Sequence, residues 1–244
     1  MAVTANRRLL TPAGHRLGFV PGYRNIAMSW GRVELEPEVR DWLLDLPDEE
    51  FGHVAFYIDL LQEQGVLLDE PYTRQLKGKL RELRFYLGRE RRRISYYIAA
   101  ERRIVLLTVF RKTRMREASE INRAEIAMRR CIAEGTPLRI DHNMGEPRSW
   151  NELRDRRMEG PAAKTGYEQA KAAYEVGRMI RELREARQLS QRELAERMGT
   201  TQSVVGRLEA GGSRPTLVTL ERVAQALGLR LEVRFQDKQL KPAG

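Results

Sequence analysis

A dense group of cationic side chains lies between residues 74 and 116, and its composition suits chemistry on a phosphodiester. This stretch carries fifteen basic and three acidic residues, whereas residues 32–73 carry twelve acidic and two basic ones. Fixed guanidinium and ammonium groups stabilise the negative charge that develops on phosphorus during cleavage. A lysine crowded by other cations loses its proton more readily and can act as a general base. The pattern is compatible with RNA cleavage that needs no metal.

Three segments with strand-like patterns are predicted to carry these cations on a sheet. Residues 80–87 and 92–99 alternate apolar and polar side chains, which is typical of half-buried strands. Residues 103–110 are apolar on both faces, as a central strand should be. The turns between the segments are short and charged, so we expect an antiparallel meander.

Six residues of this meander form the predicted catalytic site. Two arginines and a tyrosine lie in phase on the face opposite the apolar one, and three further cations lie at strand ends. The six residues are Arg84, Arg93, Tyr97, Lys79, Arg111 and Lys112. The alternative is a solvated cationic face that binds RNA or an acidic partner without cutting it, since a charged arginine cannot act as a base.

Helices are predicted before and after the meander. A short strand over residues 29–36 precedes a helix that begins at Pro37, and a second helix runs from Asp48 to Gly65 with apolar residues at helical spacing. A last helix is expected over about residues 118–132. The predicted fold of this region is therefore α+β, with two N-terminal helices, an antiparallel sheet and a C-terminal helix.

A second motif lies at residues 189–211, with the sequence LSQRELAERMGTTQSVVGRLEAG. It predicts two short helices joined by a tight turn at Gly199, where a side chain would obstruct the chain. We expect the second helix to bury Val205 and Leu208 against its neighbours. Its outward residues at helical spacing are then Gln202, Ser203, Gly206 and Arg207.

This outward face has the chemistry that recognition of DNA requires. A glutamine pairs with adenine through two hydrogen bonds, and a serine bonds several base edges in the major groove. Neighbouring polar and cationic side chains are expected to contact phosphates. The predicted DNA-binding residues are Gln191, Thr201, Gln202, Ser203, Arg207 and Arg214. The alternative is a small helical domain that has no nucleic-acid partner.

The motif and the apolar stripes that flank it closely resemble the helix-turn-helix domain of the phage-repressor (Cro/C1, XRE) family. The resemblance implies an all-α domain that binds operator DNA. An alternating tail predicts a lone strand over residues 229–235, and such a strand needs a pairing partner. Because operators are usually bound by dimers, we expect a homodimer that forms through this C-terminal domain.

The cationic region resembles a different family. Residues 74–84 (RQLKGKLRELR) and 103–113 (RIVLLTVFRKT) are similar to the phage Gp49-type HigB toxins of the RelE/ParE superfamily. Thr108 stands where histidine is common, and Arg111 stands where lysine is usual. Members of this family cleave mRNA on the ribosome, without a cofactor, and a partner antitoxin holds them inactive.

The chemistry of RNA cleavage suggests a division of roles among the predicted catalytic residues. We expect Arg84 and Arg93 to neutralise phosphate charge, and Tyr97 to stack on a base or contact the 2′-hydroxyl. Lys79 or Lys112 would transfer protons. Under this hypothesis the substrate is mRNA bound to the ribosome.

Residues 147–235 resemble a HigA-type antitoxin over nearly its whole length, so the chain resembles a toxin fused to its antitoxin. Fusion makes inhibition intramolecular, at an effective concentration near millimolar. The fused product would be an endonuclease domain neutralised by a DNA-binding domain that also represses its own operon. The alternative is a sequence-specific transcriptional regulator whose N-terminal domain is a catalytically inactive interaction module.

Composition sets the remaining expectations. A net charge of +10 suggests a polyanionic partner. One cysteine excludes an internal disulfide, and with three scattered histidines it gives no metal-ligand spacing, so we expect neither a metal nor a cofactor. No apolar run is long enough to span a bilayer, and we expect a cytoplasmic protein that has no membrane partner.

The predicted domain organisation has five parts. They are a disordered extension (1–28), a toxin-like domain (29–135), a linker (136–166), a helix-turn-helix domain with its C-terminal strand (167–235) and a tail (236–244).

Overall fold

The computed structural model of the protein describes residues 29–112, 117–133 and 149–234. The predicted extension, the predicted tail and most of the first half of the predicted linker lie outside these ranges. In chain order the elements are β1 (Arg32–Leu35), α1 (Pro37–Asp45), α2 (Asp48–Gln64), β2 (Thr73–Lys77), β3 (Leu80–Leu87), β4 (Glu90–Ala99), β5 (Arg103–Arg111), α3 (Glu117–Ala133), α4 (Trp150–Arg157), α5 (Pro161–Glu185), α6 (Gln191–Arg197), α7 (Gln202–Glu209) and α8 (Leu217–Ala226).

The first region is built on a five-stranded sheet in the order β1-β5-β4-β3-β2. The predicted meander of β3, β4 and β5 is present and antiparallel. The sheet as a whole is mixed, because β1 pairs in parallel with β5. This corrects the expectation of a purely antiparallel sheet. Strand β2 was not predicted, since TRQLK has a single large apolar residue and lies at the sheet edge.

Helix α2 lies between the sheet and α5. Ten residues of α2 are buried around its whole circumference, because the helix has a packing partner on both sides. Phe56 contacts Tyr167 and Tyr174 of α5, while Tyr57 stacks on Phe85 of β3 with ring centroids 5.4 Å apart. One hydrophobic core therefore extends from the sheet through α2 into α5.

The predicted linker 136–166 is structured where it is described, and this corrects the predicted boundary. Trp150 and Leu153 of α4 are buried in the same core as α2. Helix α5 begins at Pro161, because a proline suits the first turn of a helix, where no backbone N–H is needed. Gly160 and Pro161, which fall within the predicted linker, thus mark the start of a helix.

Two glycines allow α2 and α5 to touch through their backbones. A Cβ at Gly52 would lie 1.8 Å from the carbonyl oxygen of Ala163, and a Cβ at Gly166 would lie 1.9 Å from that of Glu49. A larger side chain at either position must push the helices apart. These two glycines therefore determine how closely α5 packs against α2.

The C-terminal half of α5 and helices α6, α7 and α8 form the helix-turn-helix region. Its core consists mainly of Ile180, Leu194, Val205, Leu208, Val223 and Leu227. Residues 229–234, the described part of the predicted C-terminal strand, form no strand in the single chain. Because a strand there was expected to pair with a second copy of the chain, it stays a prediction; Phe235 lies outside the described residues.

The face of the sheet opposite α2 is covered by α3. Leu80, Tyr97, Val105 and Leu107 pack there against α3. Cys131 of α3 is buried in this cluster, as expected for a core residue.

Candidate nucleic-acid interface

The exposed face of α7 begins at its N-terminus. Thr201, Gln202, Ser203 and Val204 are all exposed, whereas Val205 is buried. Thr201 occupies the N-cap position but its side chain makes no capping hydrogen bond. The structure therefore places the predicted base-contacting residues together on an open surface.

The turn before α7 is fixed by local geometry. Gly199 adopts a φ of +64°, which glycine tolerates without strain, and the N–H of Thr200 donates to the carbonyl of Ala195 at 2.9 Å. Helix α6 starts with a reciprocal cap, in which Ser190 and Glu193 each bond the other's backbone N–H. These features hold α6 and α7 at a constant angle.

A buried ion pair connects α5 to the end of α7. Arg184 donates to Glu209 through Nε at 2.6 Å and through Nη2 at 3.0 Å. Hydrogen bonding to Glu209 raises the pKa of the Arg184 guanidinium above its usual value. Tyr72 of the first region donates from its hydroxyl to the carbonyl of Glu209 at 3.2 Å, and burial raises the pKa of this phenol. The same residue is thus held from both halves of the chain.

Gln191 was predicted to contact phosphate, but in the structure its amide holds α6 to α7. Its Nε2 donates to Glu209 Oε2 at 2.9 Å. Gly206 makes room for this side chain, since a Cβ there would lie 3.3 Å from Gln191 Oε1. The absence of a side chain at residue 206 therefore has a packing reason within the domain.

Arg207 lies at the boundary between the two halves of the chain. Its Nε donates to the carbonyl of Gly212 at 2.8 Å, and its Nη2 donates to the carbonyl of Gly88 in the β3–β4 turn at 3.0 Å. Its guanidinium also stacks over the Tyr86 ring at 5.2 Å. This corrects the expectation of an outward arginine on α7, because the β3–β4 hairpin engages it. Arg214 is exposed in the loop between α7 and α8.

Two of the predicted catalytic arginines share one buried carboxylate. Arg93 donates to both oxygens of Glu82, at 2.8 and 2.7 Å, and Arg84 Nε donates to Glu82 Oε1 at 2.8 Å. Arg93 is 4% exposed and Glu82 is fully buried. The expected open cationic face with Arg84 and Arg93 at its centre is therefore wrong. Glu82 was the signal that sequence reasoning missed, since it lies two residues before Arg84 on the same strand face.

The other four predicted catalytic residues do not meet at one place. Tyr97 is buried beneath α3, and Arg111 pairs with Glu90 at 2.8 Å. Lys79 is exposed in the turn before β3, whereas Lys112 follows β5 at the opposite end of the strands and donates its backbone N–H to Arg91. The structure thus places Lys79 apart from the other strand-end cations.

Asp59 joins α2 to both α4 and α5. Its carboxylate accepts hydrogen bonds from Trp150 Nε1 at 2.8 Å, Arg154 Nε at 2.8 Å and the Tyr167 hydroxyl at 3.1 Å. A buried carboxylate with three donors is stabilised only when those donors stay in place. Sequence analysis did not identify this residue, because its partners are 91, 95 and 108 residues away along the chain.

Arg157 attaches α4 to the C-terminal end of α1 and to Asp48. Its guanidinium donates to the carbonyls of Leu43, Leu44 and Leu46 and to Asp48, at 2.7–2.9 Å. It therefore satisfies carbonyls at the C-terminal end of α1 that have no partner within the helix. The two halves of the chain form one continuous packed body across this interface.

Neither a membrane-spanning helix nor a metal-binding cluster is found in the part of the chain that the structure describes. No helix there is both long and apolar enough to cross a membrane. No group of three or more His, Cys, Asp or Glu residues there could hold a metal ion.

Sequence comparisons agree with this division into two regions. Residues 180–233 match the helix-turn-helix family model, and residues 41–131 match the model described as phage-derived protein Gp49-like (DUF891). The fold and the exposed face of α7 thus define a helix-turn-helix protein with a Gp49-like domain.

Two relatives share the C-terminal match. An HTH-type transcriptional regulator of Methanothermobacter thermautotrophicus is 46% identical over 50 residues, which are 20% of this chain and 72% of the relative. The HTH-type transcriptional regulator y4dL of Sinorhizobium fredii is 43% identical over 68 residues, which are 28% of this chain and 34% of y4dL. The chain belongs to the HTH-type transcriptional regulators through its C-terminal domain. It spans about a third of the length of y4dL.

A solved structure is similar to part of this chain. The restriction-modification controller protein C.AhdI from Aeromonas hydrophila is 37% identical, with a TM-score of 0.24, over 25% of this chain and 87% of that chain.

Proposed function

We propose that this protein is a sequence-specific DNA-binding transcriptional regulator whose Gp49-like domain is fixed to the helix-turn-helix domain. The observation that carries the proposal is the open N-terminal end of α7, where Gln202 and Ser203 are exposed on a packed helix-turn-helix core. A glutamine and a serine at this place can bond base edges in the major groove. Exposed Arg214, in the loop after α7, is suited to a phosphate contact.

The kinship with regulators supports this function. The relatives carry the name of transcriptional regulators, and C.AhdI is named a restriction-modification controller protein. The positive net charge of +10 favours a polyanionic partner. A homodimer remains part of the proposal, with the extended residues 229–234 as its contact.

The double substitution Gln202→Ala/Ser203→Ala tests the proposed recognition face. A duplex is first selected from a random pool with the full chain, and its affinity is compared with that of a scrambled duplex. We expect the double variant to lose about 1–3 kcal/mol of discrimination for each base contact removed, while its affinity for scrambled DNA changes little. Both residues are exposed, so the fold is retained.

Gln225→Ala provides the matched control. Gln225 is an exposed glutamine on α8, away from the proposed face, so this variant should keep the affinity ratio of the parent. An unchanged ratio in the Gln202→Ala/Ser203→Ala variant would place recognition elsewhere on the molecule.

We further propose that the Gp49-like domain is a toxin-type mRNA endonuclease domain that its own C-terminal half holds inactive. The docking of α4 and α5 onto α2 supports inhibition within the chain, because these helices complete the core of the Gp49-like domain. Arg84, whose side chain is 21% exposed, and Lys112 remain the proposed contacts to RNA, whereas buried Arg93 is no longer one of them.

Ribosome-dependent cleavage can be measured with the full chain in a reconstituted translation reaction. We expect the parent to cut no mRNA, and the docking variant Asp59→Ala to cut it at temperatures where the chain remains folded. Cleavage should disappear in Asp59→Ala/Arg84→Ala/Lys112→Ala. An absence of cleavage in Asp59→Ala would favour a Gp49-like domain that serves as a structural module.

A further inference from the structure

We propose that the β3–β4 hairpin of the Gp49-like domain and the end of α7 form a composite phosphate-binding surface for the backbone of double-stranded DNA. This inference rests on the proposed DNA-binding function and names a second region of the chain that contacts the same duplex. The surface consists of Arg91 and Arg207, which lie against Tyr86, together with Arg89 in the hairpin turn and Arg214 in the loop after α7, and we call it the hairpin surface.

Tyr86 brings two guanidinium groups from different domains together. The Arg91 guanidinium lies 5.5 Å from the centroid of the Tyr86 ring, and that of Arg207 lies 5.2 Å from it. Arg91 Nε also donates to the Tyr86 hydroxyl at 2.8 Å. Stacking on one aromatic ring holds both cations in place without neutralising their charge.

Backbone packing keeps this arrangement fixed at the domain boundary. A Cβ at Gly212 would lie 2.3 Å from a ring carbon of Tyr86, so the loop after α7 lies directly on the ring. Arg207 Nη2 donates to the carbonyl of Gly88 at 3.0 Å, which connects α7 to the hairpin turn. The hairpin therefore keeps a constant position relative to the helix that carries the base-contacting residues.

Within the described part of the chain, some arginines of β3, β4 and β5 form ion pairs with glutamates, whereas those of the hairpin surface do not. Glu90 pairs with Arg92 and Arg111, and Glu82 pairs with Arg84 and Arg93. Among the described residues, no carboxylate forms an ion pair with the four arginines of the hairpin surface. Arg89 and Arg91 are exposed, and so is Arg214. Four cations without a carboxylate partner favour a polyanion at this place.

The hairpin surface continues the proposed recognition face. Ser203 and Arg207 are four residues apart on α7 and therefore lie on the same side of the helix. When the N-terminal end of α7 enters the major groove, its other end lies near the phosphates that border that groove. The hairpin then meets the sugar-phosphate backbone beside the bases that α7 contacts. Double-stranded DNA is for this reason favoured over RNA as the ligand.

The full-length variant Arg89→Ala/Arg91→Ala tests the surface. The probe is a 30-base-pair duplex selected with the parent chain, titrated at several salt concentrations beside a scrambled duplex. We expect affinity for both duplexes to fall roughly tenfold for each arginine at 0.1 M salt, and the slope of log K against log salt to become shallower by about 1.8. The ratio between the two duplexes should stay that of the parent.

Arg32→Ala/Arg129→Ala is the charge-matched control. These two exposed arginines belong to β1 and α3 of the same domain, away from the hairpin, and their loss should leave the salt slope within about 0.3 of the parent slope.

Two results would overturn the inference. In the first, Arg89→Ala/Arg91→Ala keeps the parent's slope of log K against log salt, while Gln202→Ala/Ser203→Ala still loses its preference for the selected duplex. This result would remove the hairpin surface and leave the proposed regulator function intact. The other is a loss of affinity for a single-stranded RNA 30-mer with unchanged binding to the duplex. A parent chain that shows no preference between duplexes contradicts the proposed function itself, whereas an altered salt slope in the hairpin variant tests the surface alone.

Discussion

Replacement of Asp59 by alanine is expected to lower the free energy of unfolding by about 3–5 kcal/mol, because it leaves the buried donors of Trp150 and Tyr167 without an acceptor and removes the buried partner of Arg154. The Asp59 carboxylate accepts hydrogen bonds from Trp150, Arg154 and Tyr167. All three donors come from the part of the chain after residue 148, so the substitution weakens the attachment of α4 and α5 to α2. Urea denaturation of the full chain measures the loss.

Asp155→Ala is the matched control for this prediction. Asp155 also pairs with Arg154, at 3.1 Å, but its side chain is 73% exposed. An exposed ion pair contributes at most about 1 kcal/mol, so the control should remain close to the parent. If both variants lost the same unfolding free energy, the buried carboxylate of Asp59 would not be what attaches α4 and α5 to α2.

A second large effect is expected at Glu209, the buried acid at the end of α7. Glu209→Gln removes the charge that faces Arg184 and disturbs the hydrogen bond from Gln191 Nε2. The loss in unfolding free energy should be about 3–5 kcal/mol, since a buried guanidinium then lacks its counter-charge. Because Glu209 links α5, α6 and α7, affinity for the selected duplex should fall in parallel.

Glu185→Gln is the control for this prediction, because it removes an acid that also pairs with Arg184 but is exposed. Glu185 lies 3.3 Å from Arg184 Nη2, yet its side chain is 58% exposed. We expect this variant to lose less than about 1 kcal/mol and to bind DNA as the parent does. A Glu209→Gln variant as stable as Glu185→Gln would show that the buried pair is not a determinant of the helix-turn-helix packing.

Local patterns in the sequence predicted the elements whose signals are local. The alternation in residues 80–87 and 92–99 predicted β3 and β4, and the apolar residues 103–110 predicted β5. Strand β2 was missed because its residues are mostly polar. The parallel pairing of β1 with β5 was missed because it joins residues about seventy positions apart, and alternation carries no information on such a pairing.

In the candidate sites, too, features with local signals were predicted and those that depend on distant residues were missed. The exposed positions of Gln202 and Ser203 followed from helical spacing, since burial of Val205 and Leu208 determines which face remains outside. The partners of Arg93 and Arg207 did not follow from spacing. An arginine in phase on a strand face is open only when no carboxylate shares that face, and an arginine on α7 points outward only when no second domain docks beside it.

The central claim is that the Gp49-like domain and the helix-turn-helix domain form one body through α2 and α5. Hydrogen exchange of the full chain tests it most directly. Amides in the first half of α5, including those of Tyr167 and Ala170, should open only with the same free energy as the amides of α2, because they share one core. The claim would be contradicted if the amides in that half of α5 exchanged at a much lower opening free energy than the amides of α2.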